Sequence, residues 1–343
     1  MRKMASIKEI TQITPIENAD RIESASIGGW NIVVQKGVHN VGDKVLFLEI
    51  DAFLPEDYPA FESFAQRSTK RALSPLTHEY VTGHVLKTAK LRGVYSQGAI
   101  VPLDEVGLSP DATQADVDTW AEQVGVFKYE LPAVVNNPDI VGVFPSQYAT
   151  KTDAERVQNL TDEFLHSLDT SEWYATEKVD GTSATFFVDQ DGVLRAASRN
   201  YEISLHTEKD KKSPYQIIAE QLHMSDWFTT PGAVIQGEIM GEGIQGNKLK
   251  LKGLHLYVFH TNMDAETLRK HNVEFVPEVD MQFPTSVEEA VQQVDGMKSL
   301  INPKVNAEGI VWWNKEGHTY DVLDDRANFK AINNKFLLKN QDS

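Results

Sequence analysis

The chain has 343 residues, a hydrophobic share of 41% and a formal net charge of −17; these suit two packed domains and argue against coating nucleic acid through a broad basic surface, because such binding rests on Lys and Arg neutralising phosphates. With no cysteine, disulfide staples, thiolate zinc sites and a cysteine nucleophile are excluded, so any metal must be held by carboxylates, histidine or the substrate itself. The segment Met1-Arg2-Lys3-Met4-Ala5-Ser6 passes into polar, periodic sequence without an apolar h-region, and no run of about 18 apolar residues occurs, so a cytoplasmic protein without a membrane partner is expected.

From Ile7 to Leu103 the pattern is of short strand-like runs, Trp30 to Val34, Lys44 to Ile50 and Gly98 to Leu103, punctuated by Gly37 and Gly42-Asp43. Such spacing predicts a small barrel or sandwich. Leu54-Pro55-Glu56-Asp57-Tyr58-Pro59 opens an irregular excursion. Asp104 to Gln147, rich in Asp, Pro and Asn, reads as a connector with a helical piece around Ala115 to Val124. From Ser146 the texture becomes mixed. Helices are predicted at Asp153 to Leu165, Tyr215 to Met224, Ala265 to Lys270 and Val287 to Val294, with strands at Ala184 to Val188, Ala233 to Glu238, Leu254 to Phe259 and Gly309 to Trp313. The expectation is an α+β chain with one domain over 1–145 and a second over 146–343. Three basic tracks stand out: Lys87 to Arg92, Lys209 to Lys212, and Lys248 to Lys252, whose alternation would set three lysines on one strand face. Each of these is more often a solvated face than a binding site.

The sharpest chemical feature is Glu177-Lys178-Val179-Asp180-Gly181-Thr182-Ser183. A lysine acts as a nucleophile only when its amine sheds its proton near neutral pH, which nearby positive charge from a nucleotide and metal can bring about. Lys-x-Asp-Gly alone is weak, since Asp-Gly is also an ordinary turn. It has ordered company, however: Ser198-Arg199-Asn200, Glu238 in Gln236-Gly237-Glu238-Ile239-Met240-Gly241, Tyr257-Val258-Phe259, Glu308-Gly309-Ile310-Val311 and Asn328-Phe329-Lys330. Singly, each of these has an ordinary structural reading as surface arginine, core aromatic, turn or exposed lysine.

In this order the residues resemble the covalent nucleotidyltransferase superfamily of ATP-dependent DNA and RNA ligases and mRNA capping enzymes. Within it the chain is most similar to RNA ligases with an N-terminal OB-type domain, the Naegleria and Deinococcus type. The segments Pro15 to Glu23, Phe47 to Asp51, Leu91 to Gly98 and Lys151 to Asn159 carry that closer likeness. The resemblance implies an OB-type β-barrel followed by a ligase-type domain of antiparallel sheets and flanking helices. It implies ATP as the nucleotide, Mg2+ or Mn2+ as the metal, and a monomer acting on a nicked duplex with RNA on the 3′-OH side.

Carried over by position, Lys178 would form the lysyl-AMP and Glu308 would contact its amine or a metal-bound water. Lys330 would contact the α-phosphate, where fixed positive charge stabilises the transition state. Glu177, Gly181, Arg199, Glu238 and Phe259 would hold the nucleotide, Phe259 by stacking on adenine with Tyr257 as the less favoured ring. Arg156 would reach the departing pyrophosphate, and Asp180 with Glu308 would order the metal. One departure concerns the last motif, where lysines two apart are common but Asn328 holds the earlier position, leaving Lys335 and Arg326 as candidate substitutes. Thr182-Ser183, where DNA ligases commonly have an arginine, tilts the likeness toward RNA ligases. A DNA ligase or capping guanylyltransferase usually has its OB domain after the final lysine motif, whereas this sequence ends soon after Lys330. A non-catalytic RNA-binding protein would be expected to carry damaged motifs.

Overall fold

A computed structural model describes residues 3–65, 68–130, 139–206, 212–323 and 326–340. The strand Lys44–Leu48 lies between Ala5–Glu9 and Ala99–Pro102 in an antiparallel sheet. Its side chains alternate: Val45 and Phe47 enter a core with Trp30 and Ile32 of the meander Gln12–Pro15, Ile22–Ile27 and Trp30–Gln35, while Leu46 and Leu48 enter another with Val101 and Trp120. Burial on both faces explains why this strand reads as an unbroken apolar run.

The stretch after Asp104 is more than the expected connector. Its helix Gln114–Val124 begins at a Thr113–Asp116 capping box, ends at left-handed Gly125 and buries Val117 and Trp120 in the first domain's core. The excursion after Leu54 likewise folds into a sheet. Its four strands run in the order Phe127–Lys128, Ala52–Pro55, Tyr80–Val85 and Lys70–Leu73.

Two larger sheets build the second domain. One orders seven strands as Ile140–Val143, Tyr201–Ile203, Leu194–Ala197, Thr182–Val188, Val234–Gly241, Leu254–Thr261 and Glu274–Phe275. The other orders five as Glu155–Arg156, Asn328–Ile332, Gly309–Asn314, Trp173–Lys178 and Glu278–Val279. Because Ile140–Val143 pairs with Tyr201–Ile203, the second domain's sheet begins ahead of Ser146. Helix Pro214–Gln221 packs on the first of these sheets through Tyr215 and Ile218, and Val287–Val294 on the second through Val287, Ala290 and Val294. Their other faces turn toward each other, as the stacked rings of Phe259 and Trp313, one from each sheet, attest.

Two local expectations are corrected. Asp153 to Leu165 is not one helix: Glu155–Arg156 pairs in parallel with Asn328–Ile332, a 3-10 turn follows at Val157–Asn159, and Thr161 caps a short helix, Asp162–His166. Lys248 to Lys252 is not a strand. Left-handed backbone at Gln245, Gly246, Asn247 and Lys250 curls it into a loop, which Asn247 closes by bonding the carbonyl and amide of Leu251. The Lys209 to Lys211 part of the second basic track lies outside the described residues.

The domains meet around Asn159. Its amide oxygen accepts from Trp30 Nε1 at 2.9 Å and its amide nitrogen donates to Glu49 Oε1 at 2.9 Å. Gly29 fits here because a Cβ would lie 2.4 Å from Val287 Cγ1 and 2.8 Å from Gln158 Cα. No helix among the described residues is long and apolar enough to cross a membrane.

Candidate active site

Lys178 ends the strand Trp173–Lys178 in the five-stranded sheet, and Thr182 begins the strand Thr182–Val188 in the seven-stranded one. The chain therefore crosses between sheets at Val179-Asp180-Gly181. Only glycine fits the last of these positions, since a Cβ there would lie 2.3 Å from the Ile239 carbonyl oxygen and 3.0 Å from Glu238 Cγ. The crossing brings three carboxylates to one amine. Lys178 Nζ donates to Glu308 Oε1 at 2.6 Å, with Glu308 directly before the strand Gly309–Asn314 whose first residue is the register partner of Lys178. Glu238 comes from the neighbouring strand Val234–Gly241, opposite Ser183. Asp180 pairs at 3.0 Å with Lys248 Nζ, which also lies 5.3 Å from the Phe336 ring centroid.

The electrostatics follow from this crowding. Burial pushes the Lys178 amine down, but Glu308, Glu238 and Asp180 outweigh it and hold the amine above its ordinary value. Burial pushes the Glu238 carboxyl up to about 8; Glu308 and Asp180 add to the rise, while Lys178 opposes it. Asp180 is also raised, by burial and by Glu308, against Lys248 and Lys178. Without a further cation, then, the site favours a protonated lysine.

A divalent ion fits this donor set. Glu308 Oε2 is buried without a hydrogen-bond partner, and oxygen donors suit Mg2+ or Mn2+. Among the described residues no three His, Asp or Glu side chains are grouped to cage a metal alone, so phosphate oxygens and water would complete its shell.

The remaining predicted residues fall into two groups. Glu177, on the strand face opposite Lys178, is buried; its Oε2 accepts from Leu300 N at 2.7 Å and its Oε1 has no partner. Phe259 is half-buried and stacks on Trp313 with ring centroids 5.9 Å apart. Tyr257 is buried, and burial together with Glu274 pushes its hydroxyl up to about 12.

The second group is cationic. Arg199, in the turn between Leu194–Ala197 and Tyr201–Ile203, pairs with Asp153 and lies 3.6 Å from Glu130; it is not paired with Glu238. Lys330 is the parallel partner of Arg156, which is buried, lies 5.8 Å from the Trp30 ring and is 3.6 Å from Asp51. Burial works against ionisation of Asp153, yet Arg199, Lys330, Lys128 and Arg326 hold its carboxyl down to about 2. Of the two candidate substitutes for the lysine absent at Asn328, Arg326 joins this cluster, whereas Lys335 is 3.7 Å from Asp295.

Three residues here escaped the sequence reading. In the sequence Lys248 reads as part of a basic track on a solvated face, although the glycine-rich run Gly241-Glu242-Gly243 before it signals a constrained loop. Asp153 reads as the start of a helix. Trp313 reads simply as part of an apolar strand.

Comparison with known proteins agrees with this architecture. Residues 4–103 match a model described as an OB-fold domain, and residues 171–332 match the RNA ligase family model. No curated protein sequence matches the chain. Among solved structures, an apo variant of Naegleria gruberi RNA ligase is 31% identical with a TM-score of 0.81, covering 100% of this chain and 99% of its own. The Naegleria gruberi enzyme with PPi is 31% identical at 0.80, covering 100% of both chains. A variant of it with ATP and Mn is 30% identical at 0.81, covering 99% of this chain and 100% of its own. A likeness of that extent, over both domains, shows that the chain belongs to the RNA ligase family in which an OB-fold domain precedes the ligase domain.

Proposed function

We propose that the chain is an ATP-dependent RNA ligase that works through a lysyl-AMP on Lys178 and seals a 3′-OH/5′-phosphate break in a duplex, with RNA on the 3′-OH side. The observation that carries this reading is the convergence of Glu308, Glu238 and Asp180 on one lysine amine between two sheets. The related enzyme with ATP and Mn supports the choice of nucleotide and metal.

In the first step Lys178 Nζ attacks the α-phosphorus of ATP: a P–N bond forms, the P–O bond to pyrophosphate breaks, and the two protons that the ammonium loses pass by way of Glu308, 2.6 Å away, to water. A divalent ion held by Glu308 and Asp180, with phosphate oxygens and water completing its shell, would supply the positive charge that offsets the carboxylates, while Glu238 would hold the nucleotide. Glu308, which holds the amine at 2.6 Å, keeps it aimed. Glu177 Oε1, buried and unpartnered, suits an adenine amino group, and Phe259 suits the base's face better than Tyr257, whose hydroxyl is engaged by Glu274. Gly181 lets backbone approach closely. Lys330 and Arg199 provide fixed charge for phosphate oxygens, with Arg156 toward the pyrophosphate side.

In the second step an oxygen of the strand's 5′-phosphate takes AMP from Lys178, breaking the P–N bond and returning the amine. In the third, the 3′-hydroxyl attacks the 5′-phosphorus and AMP leaves. Each step is a displacement at phosphorus, governed by position and charge. The test is nick sealing with ribose exchanged for deoxyribose strand by strand. Sealing that falls when the 3′-OH strand is DNA supports the reading, and equal sealing of all-DNA nicks refutes the RNA preference.

A further inference from the structure

A chain with a net charge of −17 can hold RNA only where cations are concentrated and not already neutralised. Most lysines and arginines that form contacts in this structure face a carboxylate. On the first domain Lys70, Arg71 and Lys90 instead lie over tyrosines: Lys70 Nζ is 5.6 Å from the Tyr129 centroid, the Arg71 guanidinium 4.5 Å from Tyr80, and Lys90 Nζ 4.8 Å from Tyr95. Cations paired with aromatic rings are the side chains that proteins use for unpaired nucleotides, the ring stacking on a base while the ammonium meets a phosphate.

One of the three pairs adjoins the cleft. Lys70 is on the edge strand Lys70–Leu73 opposite Gly83, where a Cβ would lie 2.6 Å from Phe53 Cζ, so the glycine makes room for the Phe53 ring on the face where Lys70 reaches Tyr129. Beside Tyr129 on this face, Phe127 stacks on Phe53 at 4.7 Å, and both Phe127 and Tyr129 remain half-buried. Tyr129 follows Lys128, whose Nζ pairs with Glu130 Oε1 at 3.1 Å, and Glu130 in turn lies 3.6 Å from Arg199 and accepts from Asn200 Nδ2 at 3.3 Å. The aromatic face of the four-stranded sheet thus adjoins the ion-pair network on the Arg199 side of the cleft.

We propose that the sheet face bearing Lys70, Phe127 and Tyr129 is a binding track for an unpaired RNA strand adjoining the break. The proposal rests on the ligase reading above. Tyr129 provides the stacking surface and Lys70 a phosphate contact.

The test is fluorescence anisotropy with a labelled single-stranded RNA of about 12 nucleotides, a length within the range such surfaces cover, alongside lysyl-AMP formation and sealing of a fully paired nick. Tyr129→Ala should weaken RNA binding roughly 10-fold and Tyr129→Phe should leave it near the parent value, since the ring is kept. Lys70→Gln should weaken binding and lower the slope of log affinity against log salt by about 1. Adenylation should be unchanged in all three, which shows that they fold. Parent-like RNA affinity and salt slope in Tyr129→Ala and Lys70→Gln overturn the track while leaving the ligase reading intact. A parent protein that neither adenylates nor seals contradicts the ligase reading itself.

Discussion

Lys178, the proposed nucleophile, shows how a residue can stand out in the sequence while its surroundings keep its amine protonated. The sequence pattern pointed to it through Lys-x-Asp-Gly and the ordered glutamates, but its surroundings hold the amine above its ordinary value. In the proposed mechanism nucleotide and metal would reverse that. Glu238 offers a clean check. Its folded pKa of about 8 lies above the ordinary 4.5, so the folded state binds a proton more tightly than the unfolded chain, and the stability this confers is full below 4.5 and lost as pH rises through 8. In the absence of nucleotide and metal, Glu238→Gln should therefore melt higher than the parent at pH 9, with the gap closing toward pH 4; thermal unfolding at both values reads it, and a constant gap contradicts the assignment. Lys248 makes the opposite case. Its side chain is 13% exposed against 20% for Asp180, and removing one partner of a buried pair leaves the other uncompensated. Lys248→Met should cost about 3 kcal/mol in urea unfolding and reduce adenylation, while a stability equal to the parent's would mean that the pair is idle.

Elements explain why some of the site could be read and some could not. The strands Thr182–Val188, Val234–Gly241, Leu254–Thr261 and Gly309–Asn314 are legible from their mostly apolar, β-like runs, whereas Glu238, Phe259 and Glu308 stand out only through the order of the motifs and the family resemblance. Segments whose structure depends on distant partners could not be read. Glu155–Arg156 is extended only because it adds to the edge formed by Asn328–Ile332, and Phe127–Lys128 only because Ala52–Pro55 is there to receive it. Local sequence holds no record of such pairing. The loop carrying Lys248 misled for a similar reason: alternating Lys and Leu suggests a strand, but Asn247 closes the chain on itself and Asn302 Nδ2 ties down the Leu249 carbonyl at 2.8 Å. At the sheet crossing, Gly181→Ala would force its Cβ against the Ile239 carbonyl, which is backbone and cannot rotate away. We expect a destabilisation of about 2 kcal/mol or more with loss of adenylation; a variant that melts and adenylates like the parent would show that the crossing is less tight than described.

At the scale of the whole molecule, the OB-fold domain is joined to the site rather than tethered beside it. Trp30, Glu49 and Asp51 all meet the segment that carries Arg156 and Asn159, so the first domain bears on the cleft directly. The order of the two domains was legible from their textures; their contact was not, since Trp30 and Asn159 lie 129 positions apart and nothing in the segment Lys151 to Asn159 points to Trp30 as its partner. What this arrangement is for depends on one bond. Incubation of the protein with α-labelled ATP and Mg2+ or Mn2+, followed by mapping of the labelled peptide, should find AMP on Lys178 and none on Lys178→Ala. Label on another residue, or undiminished label in that variant, would contradict the account.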